Sequence, residues 1–483
     1  MNDFATCMEE AFERHGGSVT ELCEYTGLDR STIYKIRNGT RQPPNLQTVE
    51  RIADFFCLSH EDRRQMRDAY HMARVGPVQY FGRQEAEAFC RNFTLEERES
   101  VGNLREMTLP DRALFVFDTP GDVAIGVRSL LLGELRRQRH CTIRIFEMVL
   151  QDATLDLLRI LLEEDPTLQV EHVVAMDERQ ERYVAKLHRT YNFHCMERLL
   201  PLQVNYRNYH VYYHYEDIMA RSSSSYVYPN TILCGDYIIA LNFDHSFARI
   251  EKHRSEAERY QLWMNERILQ SHPLFEVPGD LDCCERRIRE ELFECRKPGR
   301  VYCFHTGIPL SLAAPDQTSF PRLKEGVRDP QGLRQTYQRY LCVCQELFYR
   351  EKGQIVEVFT KQGVEYFART GYAVDMDPNV CQPVPVCRRR DLIANWMKCV
   401  NSGEMVLVDL PGSEGASPIS VMSSERMAVF SLPTPNGMLR QSIVTEACVT
   451  RTLQDYMREL HGKDHMEPEI VRSYLFLLLS NLK

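Results

Sequence analysis

Arg30, Ser31, Tyr34 and Lys35 lie within the segment DRSTIYKIRNGTR, residues 29–41. Their spacing of one, three and four residues gathers them on one side of a helix. Two cations, a hydroxyl and a phenol on one face suit hydrogen bonding to another surface. Leu22, Leu28, Ile33 and Ile36 form the opposing apolar set, and Ile33 and Ile36 share a face. The plain alternative is that the polar face is only solvated. The chain has no G-x-x-x-x-G-K-[ST], no G-x-S-x-G and no H-E-x-x-H, which leaves a phosphate loop, a nucleophile elbow and a zinc-protease helix unsupported.

The elements needed to position that face are written around it. Thr20 to Tyr25 reads as a short helix, and Gly27 is placed for a left-handed turn. Asp29 caps a second helix over Arg30 to Arg37, and Asn38-Gly39 ends it. Two helices joined by a tight glycine turn form a helix-turn-helix unit, whose second helix enters a major groove. Phe4, Cys7, Met8, Ala11 and Phe12 keep helical spacing ahead of it. Asn45 caps a helix carrying Val49, Ile52, Ala53 and Phe56, and Ser59 caps one carrying Met66, Ala69, Tyr70 and Ala73.

Residues 1–75 therefore resemble the Cro/repressor-type helix-turn-helix domain of the XRE family. The matching residues are Glu21-Leu22, Gly27, Thr32-Ile33, Ile36, Asn38-Gly39, Pro43, Leu46 to Thr48 and Ile52-Ala53. Cys23 stands where the family usually has alanine. The resemblance implies a five-helix fold bound to double-stranded DNA. It implies that Arg30, Ser31, Tyr34 and Lys35 face base edges, with Thr32 counted among the contact residues. It further implies that Asn38, Arg41 and the amides around Thr20 meet phosphate. Arg30 at the helix start is placed for a bidentate guanine contact.

Composition sets the wider frame. The chain has 483 residues, 43% of them hydrophobic and 26% charged, which is ordinary for a globular protein of two or three domains. Its formal charge is −9. Residues 1–75 hold ten Lys and Arg against twelve Asp and Glu, which argues against unspecific coating of DNA. Positive charge concentrates in residues 28–44, where Arg30, Lys35, Arg37 and Arg41 face only Asp29. No apolar run reaches a membrane span and no signal peptide is read. The seventeen cysteines include Cys283-Cys284 and Cys342-x-Cys344 but no C-x-x-C. They read as reduced thiols in the cytoplasm, with no metal and no cofactor expected.

Beyond residue 75 the expected organisation is 76–110 linker and helix, 111–272 a first α/β unit, and 273–483 a second with C-terminal helices. Gly76-Pro77 reads as a boundary, with 78–82 a linker or short strand. Strands are expected near 113–117, 142–150, 169–175 and 208–215, and a hairpin around Gly235-Asp236, followed by a helix over 247–271. The second half repeats this order, with strands near 300–304, 355–359 and 405–410. A hairpin around residues 423–426 and a helix over 440–460 complete it. Both halves thus suggest mixed sheets covered by helices and an ancient duplication. Element order is distantly similar to tandem phospholipase-D-like proteins, some of which are inactive sensor modules. Those enzymes need H-x-K-x4-D, and the His461-Gly-Lys463 here lacks the acid.

Several smaller features read as structural. His210 and His214 are strand residues whose spacing is too long to share one ion. Arg388 to Arg390 reads as solvated surface, Asp409 as a turn acid, and Pro468 to Leu482 as a helix packed into its own domain. The overall expectation is a cytoplasmic bacterial transcription regulator without enzymatic activity. It would bind an inverted-repeat operator as a homodimer, with a small-molecule or protein effector acting on the large remainder. The alternative is an enzyme or defence effector carrying the helix-turn-helix module.

Overall fold

The computed structural model describes residues 3–95, 107–108, 113–137, 141–178, 183–184, 189–218, 228–277, 300–309, 322–327, 329–335, 338, 355–399, 405–412, 418–433, 439–462 and 466–482. The Cys283-Cys284 and Cys342-x-Cys344 pairs and Lys463 lie outside them. The chain divides into two compact units. One is Met1–Glu85 with Tyr183–Thr190; the other is Ala86–Arg182 with Tyr191–Lys483.

The first unit is helical. Its helices are α1 (Asp3–His15), α2 (Val19–Thr26), α3 (Arg30–Arg37), α4 (Leu46–Phe55), α5 (His60–Val75) and α6 (Pro77–Asn92). The division at Glu85 falls within α6. Each expected cap is formed: Asp29, Asn45 and Ser59 accept from the third helical amide of α3, α4 and α5. Phe4, Met8, Leu22, Ile33, Ile36, Ile52 and Tyr70 make one core. Residues 78–82 are helical rather than a linker or strand. Pro77 stands at the first helical position, where its missing N–H costs nothing, and the Tyr80 hydroxyl donates to Asp68 at 2.6 Å. Two short strands, β4 (Tyr183–Val184) and β5 (Arg189–Thr190), belong to this unit; the Thr190 amide and hydroxyl donate to Glu85.

The second unit holds two mixed sheets. The first contains β1 (Leu114–Phe117), β2 (Thr142–Glu147), β3 (Gln169–Asp177), β6 (Tyr209–Glu216), β7 (Asn230–Cys234), β8 (Tyr237–Leu241), β9 (Ala248–Lys252) and β10 (His272–Pro273). Its order is β1-β9-β8-β7-β2-β3-β6-β10. Helices α7 (Pro120–Arg137), α8 (Asp152–Glu164), α9 (Tyr191–Asn205) and α10 (Arg254–Gln270) accompany it. The second sheet contains β11 (Val301–His305), β12 (Ile355–Thr360), β13 (Met405–Val408), β14 (Ser420–Ser423), β15 (Ala428–Pro433) and β16 (Leu439–Val444), in the order β13-β12-β11-β14-β15-β16. Its helices are α11 (Lys361–Thr370), α12 (Val386–Cys399), α13 (Ala447–Gly462) and α14 (Pro468–Asn481).

The two sheets share one strand order. Without its edge strands β1 and β10, the first sheet reads β9-β8-β7-β2-β3-β6, and the second reads β16-β15-β14-β11-β12-β13. In both, the strand third from the hairpin edge pairs antiparallel with the fourth. The fourth, fifth and sixth are parallel. Gly235, at φ +56°, is first in the two-residue turn between β7 and β8. Two expected helices start late for one shared reason. Residues 248–252 and 439–444 are strands that close each meander before its helix. The charged residues of 248–252 resemble helical surface, and in both segments only pairing with β8 or β15 reveals the strand.

Each half also buries a histidine–carboxylate pair at equivalent register. In the first, Ile145 pairs with His172, and Glu147 lies two residues beyond. In the second, Cys303 pairs with Glu357, and His305 lies two residues beyond. His172 Nε2 is 3.1 Å from Glu147 Oε2, and its Nδ1 is 2.9 Å from the Tyr209 hydroxyl. His305 Nε2 is 2.7 Å from Glu357 Oε2, and its Nδ1 is 2.8 Å from Ser420 Oγ. All of these residues are buried. Thr154 donates to the other Glu147 oxygen, and His245 lies 3.5 Å from it; burial holds the His245 pKa below its usual value.

Among the smaller features, Arg389 departs from expectation. Arg389 is buried and donates to the carbonyls of Val384, Ala368 and Arg369, closing the end of α11; Arg388 and Arg390 stay exposed. Asp409 accepts from Gln362 at 2.5 Å. His214 stacks on Phe146, and His210 is exposed. On α14, Val471 and Leu475 are buried, whereas Phe476 and Leu477 are exposed.

Removing one member of a buried pair strands its partner, at a cost of about 3 kcal/mol or more. His172→Leu is expected to lower the melting transition of the second unit markedly, and adding Glu147→Met to recover much of the loss. Calorimetry on the single and double variants checks this; equal melting of wild type and His172→Leu contradicts it. Gly363 is a second weak point, since a Cβ there would lie 2.0 Å from the Thr306 carbonyl oxygen. Gly363→Ala should destabilise by about 1–3 kcal/mol, measurable in the same way.

Candidate nucleic-acid interface

The positions of α2 and α3 follow from local hydrogen bonding. Ser18 and Glu21 form a reciprocal capping box at the start of α2: the Glu21 carboxylate accepts from the Ser18 amide at 2.7 Å and its hydroxyl at 2.8 Å. Gly27 at φ +74° turns the chain out of α2, and its N–H donates to the Cys23 carbonyl. Asp29 then opens α3. Its Oδ1 accepts from the Thr32 amide at 2.9 Å and its Oδ2 from the Thr32 hydroxyl at 2.6 Å. These two bonds hold the Asp29 pKa down at about 2, so the cap remains ionised at physiological pH. At the far end, the Thr40 and Arg41 amides both reach the Lys35 carbonyl.

With α3 fixed this way, Ile33 and Ile36 are fully buried. Arg30, Ser31, Tyr34 and Lys35 are exposed together on the outer face, and Thr20, Asn38 and Arg41 are exposed nearby. The Arg30 guanidinium lies 5.8 Å from the Tyr34 ring centroid, a cation–π distance that steadies a long side chain one turn from its partner. Thr32 differs from the other expected contact residues. It is only 5% exposed, and its hydroxyl accepts from Arg41 Nη1 at 3.2 Å. Asp29, Thr32 and Arg41 thus form a chain that holds the Arg41 guanidinium against the start of α3.

Arg37 does not share the outer face. Its Nε and Nη2 donate to the two Glu9 oxygens, each at 2.6 Å, and its guanidinium sits 4.7 Å from the Phe12 ring centroid. The pair lowers the Glu9 pKa and raises that of Arg37. The cluster of positive charge around α3 is therefore carried outward by Arg30, Lys35 and Arg41. Glu9 is 28 residues away in sequence, so no local spacing identifies this pairing. At the start of α2, the Ser18 amide and hydroxyl are already committed to Glu21, which leaves an acidic side chain beside Thr20.

Among the described residues, no group of three His, Cys, Asp or Glu side chains is arranged to hold a metal ion, and no helix is long and apolar enough to cross a membrane. No curated protein matches this chain. Three solved structures superpose loosely. Phosphatidylserine synthase of Haemophilus influenzae Rd KW20 is 11% identical, with 83% of this chain and 97% of that one covered at a TM-score of 0.23. The archaeal chromatin protein TrmBL2 is 8% identical, with 56% and 94% covered at 0.21. Polyphosphate kinase of Porphyromonas gingivalis is 11% identical, with 76% and 56% covered at 0.22. Likeness at these TM-scores carries no weight for fold or function. The N-terminal match is of another kind: residues 8–62 match the Helix-turn-helix family, and with the capped α2–turn–α3 geometry this segment is a helix-turn-helix domain of the Cro/repressor type.

Proposed function

We propose that the protein is a sequence-specific DNA-binding transcription regulator, and that its large α/β unit senses a ligand or partner and mediates self-association. The observation that supports this most is the outer face of α3. Arg30, Ser31, Tyr34 and Lys35 are exposed together while the two isoleucines behind them are fully buried. Arg30 supplies a forked donor suited to the O6 and N7 of guanine, and Lys35 a second donor one turn on. Arg41, held by Thr32, contacts backbone phosphate. The reading gives the chain no catalytic role.

One such helix reads half a site, so a homodimer on an inverted repeat with half-sites one helical turn apart provides useful affinity. The three outward cations predict a shallow salt dependence, with a logarithmic slope of roughly −3 per domain or less. The first test is selection of bound duplexes from genomic fragments, followed by footprinting. Arg30→Ala and Lys35→Ala should each reduce preference for the selected sequence by about 1–3 kcal/mol where they read a base. A folded double variant that keeps full preference overturns the proposal.

Thr32 and Glu9 act through the arginines they hold. Thr32→Val should free Arg41 and weaken binding to selected and random duplex alike, with a shallower salt slope; Thr32→Ser should restore both. Unchanged slopes in all three proteins contradict the role given to Arg41. Glu9→Gln removes the negative charge and one of the two acceptor oxygens facing Arg37, and should lower domain stability by roughly 1 kcal/mol. Because the folded pKa of Glu9 is depressed, its contribution is present above the carboxylate's ordinary range and is lost as pH falls through the folded value. The difference between wild type and Glu9→Gln should therefore shrink in acid, as read by denaturant titration at neutral and acidic pH.

A further inference from the structure

We propose that Cys141 and Cys234 are a modification site at which hydrogen peroxide forms an intramolecular disulfide joining the residue before β2 to the end of β7. The two Sγ atoms lie 3.3 Å apart and both residues are buried. That separation needs to close by little more than 1 Å to reach a bond of about 2.05 Å. Cys234 ends β7, and Cys141 immediately precedes β2, the antiparallel neighbour of β7: Ile143, two residues after Cys141, pairs with Cys234. The bond would close a loop of 93 residues through α8, β3, α9 and β6, a length at which cross-linking restricts the unfolded chain strongly.

The two thiols are unequal partners. Either sulfur can donate to the other; when Cys141 is ionised, the Cys234 thiol donates to it, which favours the Cys141 thiolate and disfavours that of Cys234. In that arrangement Cys141 is the nucleophile. Its thiolate attacks a peroxide oxygen, the O–O bond breaks, and hydroxide leaves to be protonated as water. Cys141 is now a sulfenic acid. Cys234 then attacks that sulfur, the S–O bond breaks, and the hydroxyl departs with the Cys234 proton as a second water. Two thiols are oxidised by two electrons and one peroxide is reduced.

The test exposes the full-length protein to hydrogen peroxide under native conditions, blocks remaining thiols by alkylation, and maps peptides by mass. The exposed Cys57 and Cys387 report that oxidant was effective. The expected product is a peptide pair joined through Cys141 and Cys234, lighter by two hydrogens, lost on reduction and absent from Cys141→Ser and Cys234→Ser. Oxidised wild type should also melt several degrees higher than reduced wild type, a shift missing in both variants. Alkylation of Cys141 and Cys234 as free thiols under conditions that oxidise Cys57 and Cys387 overturns the proposal, as does joining of either to another cysteine. The mass readout is taken on the wild-type chain and stands whether or not the variants fold.

Discussion

The Asp29 carboxylate is the contact on which the outer face of α3 depends. A helix start leaves amides without partners, and Asp29 satisfies the Thr32 amide while also accepting from the Thr32 hydroxyl. The same hydroxyl then accepts from Arg41. One acid therefore sets where α3 begins, which residues fall in its first turn, and, through Thr32, where the Arg41 cation is held. Gly27 performs the complementary task by ending α2 at a positive φ. Ile33 and Ile36 lock the rotation of α3 against the core, so the polar residues beside them have one direction left to face.

Charge near that face is sorted by distance in space, not in sequence. Arg37 lies among the other cations in the chain, yet its planar fork is matched by Glu9 from α1, and its face by Phe12. A bidentate pair of this kind fixes an arginine far better than solvent does. Its effect is to tie α3 to α1 with a group that would otherwise add to the outward charge. The docking surface is consequently less basic than the sequence window suggests. Such a surface favours selective contacts over general attraction to a polyanion.

The helix-turn-helix was legible because its determinants are local. Caps, the turn glycine and the apolar stripe all lie within four residues of what they control, and α3 spans the expected Arg30–Arg37. The sheets were legible as alternation of element types, down to the two hairpins and the repeat of order. What escaped were elements decided by pairing. Strand β9 is short and charged, β16 carries little alternation, and α9 has Pro201 inside it, so neither periodicity nor composition marks them. Gly76-Pro77 misled for a different reason: the same dipeptide that ends one helix also provides a favourable first residue for the next. Arg389 escaped because three successive arginines look alike until one turns inward to the carbonyls at the end of α11.

The two histidine–carboxylate pairs show why the repeat was visible in element order but not in residue identity. Glu147 and His305 occupy one position of the repeat, and His172 and Glu357 the other. Acid and base have exchanged places, so residue-by-residue comparison of the halves finds a mismatch at both sites. Electrostatically the exchange changes little. Each half still buries one carboxylate against one imidazole across adjacent parallel strands, and each imidazole's second nitrogen still has a hydroxyl partner, Tyr209 or Ser420. Substituting one member alone would leave a buried polar group without its match, so the pair is a unit in each half. The conserved quantity is therefore a complementary pair at a given register, a property of two strands together.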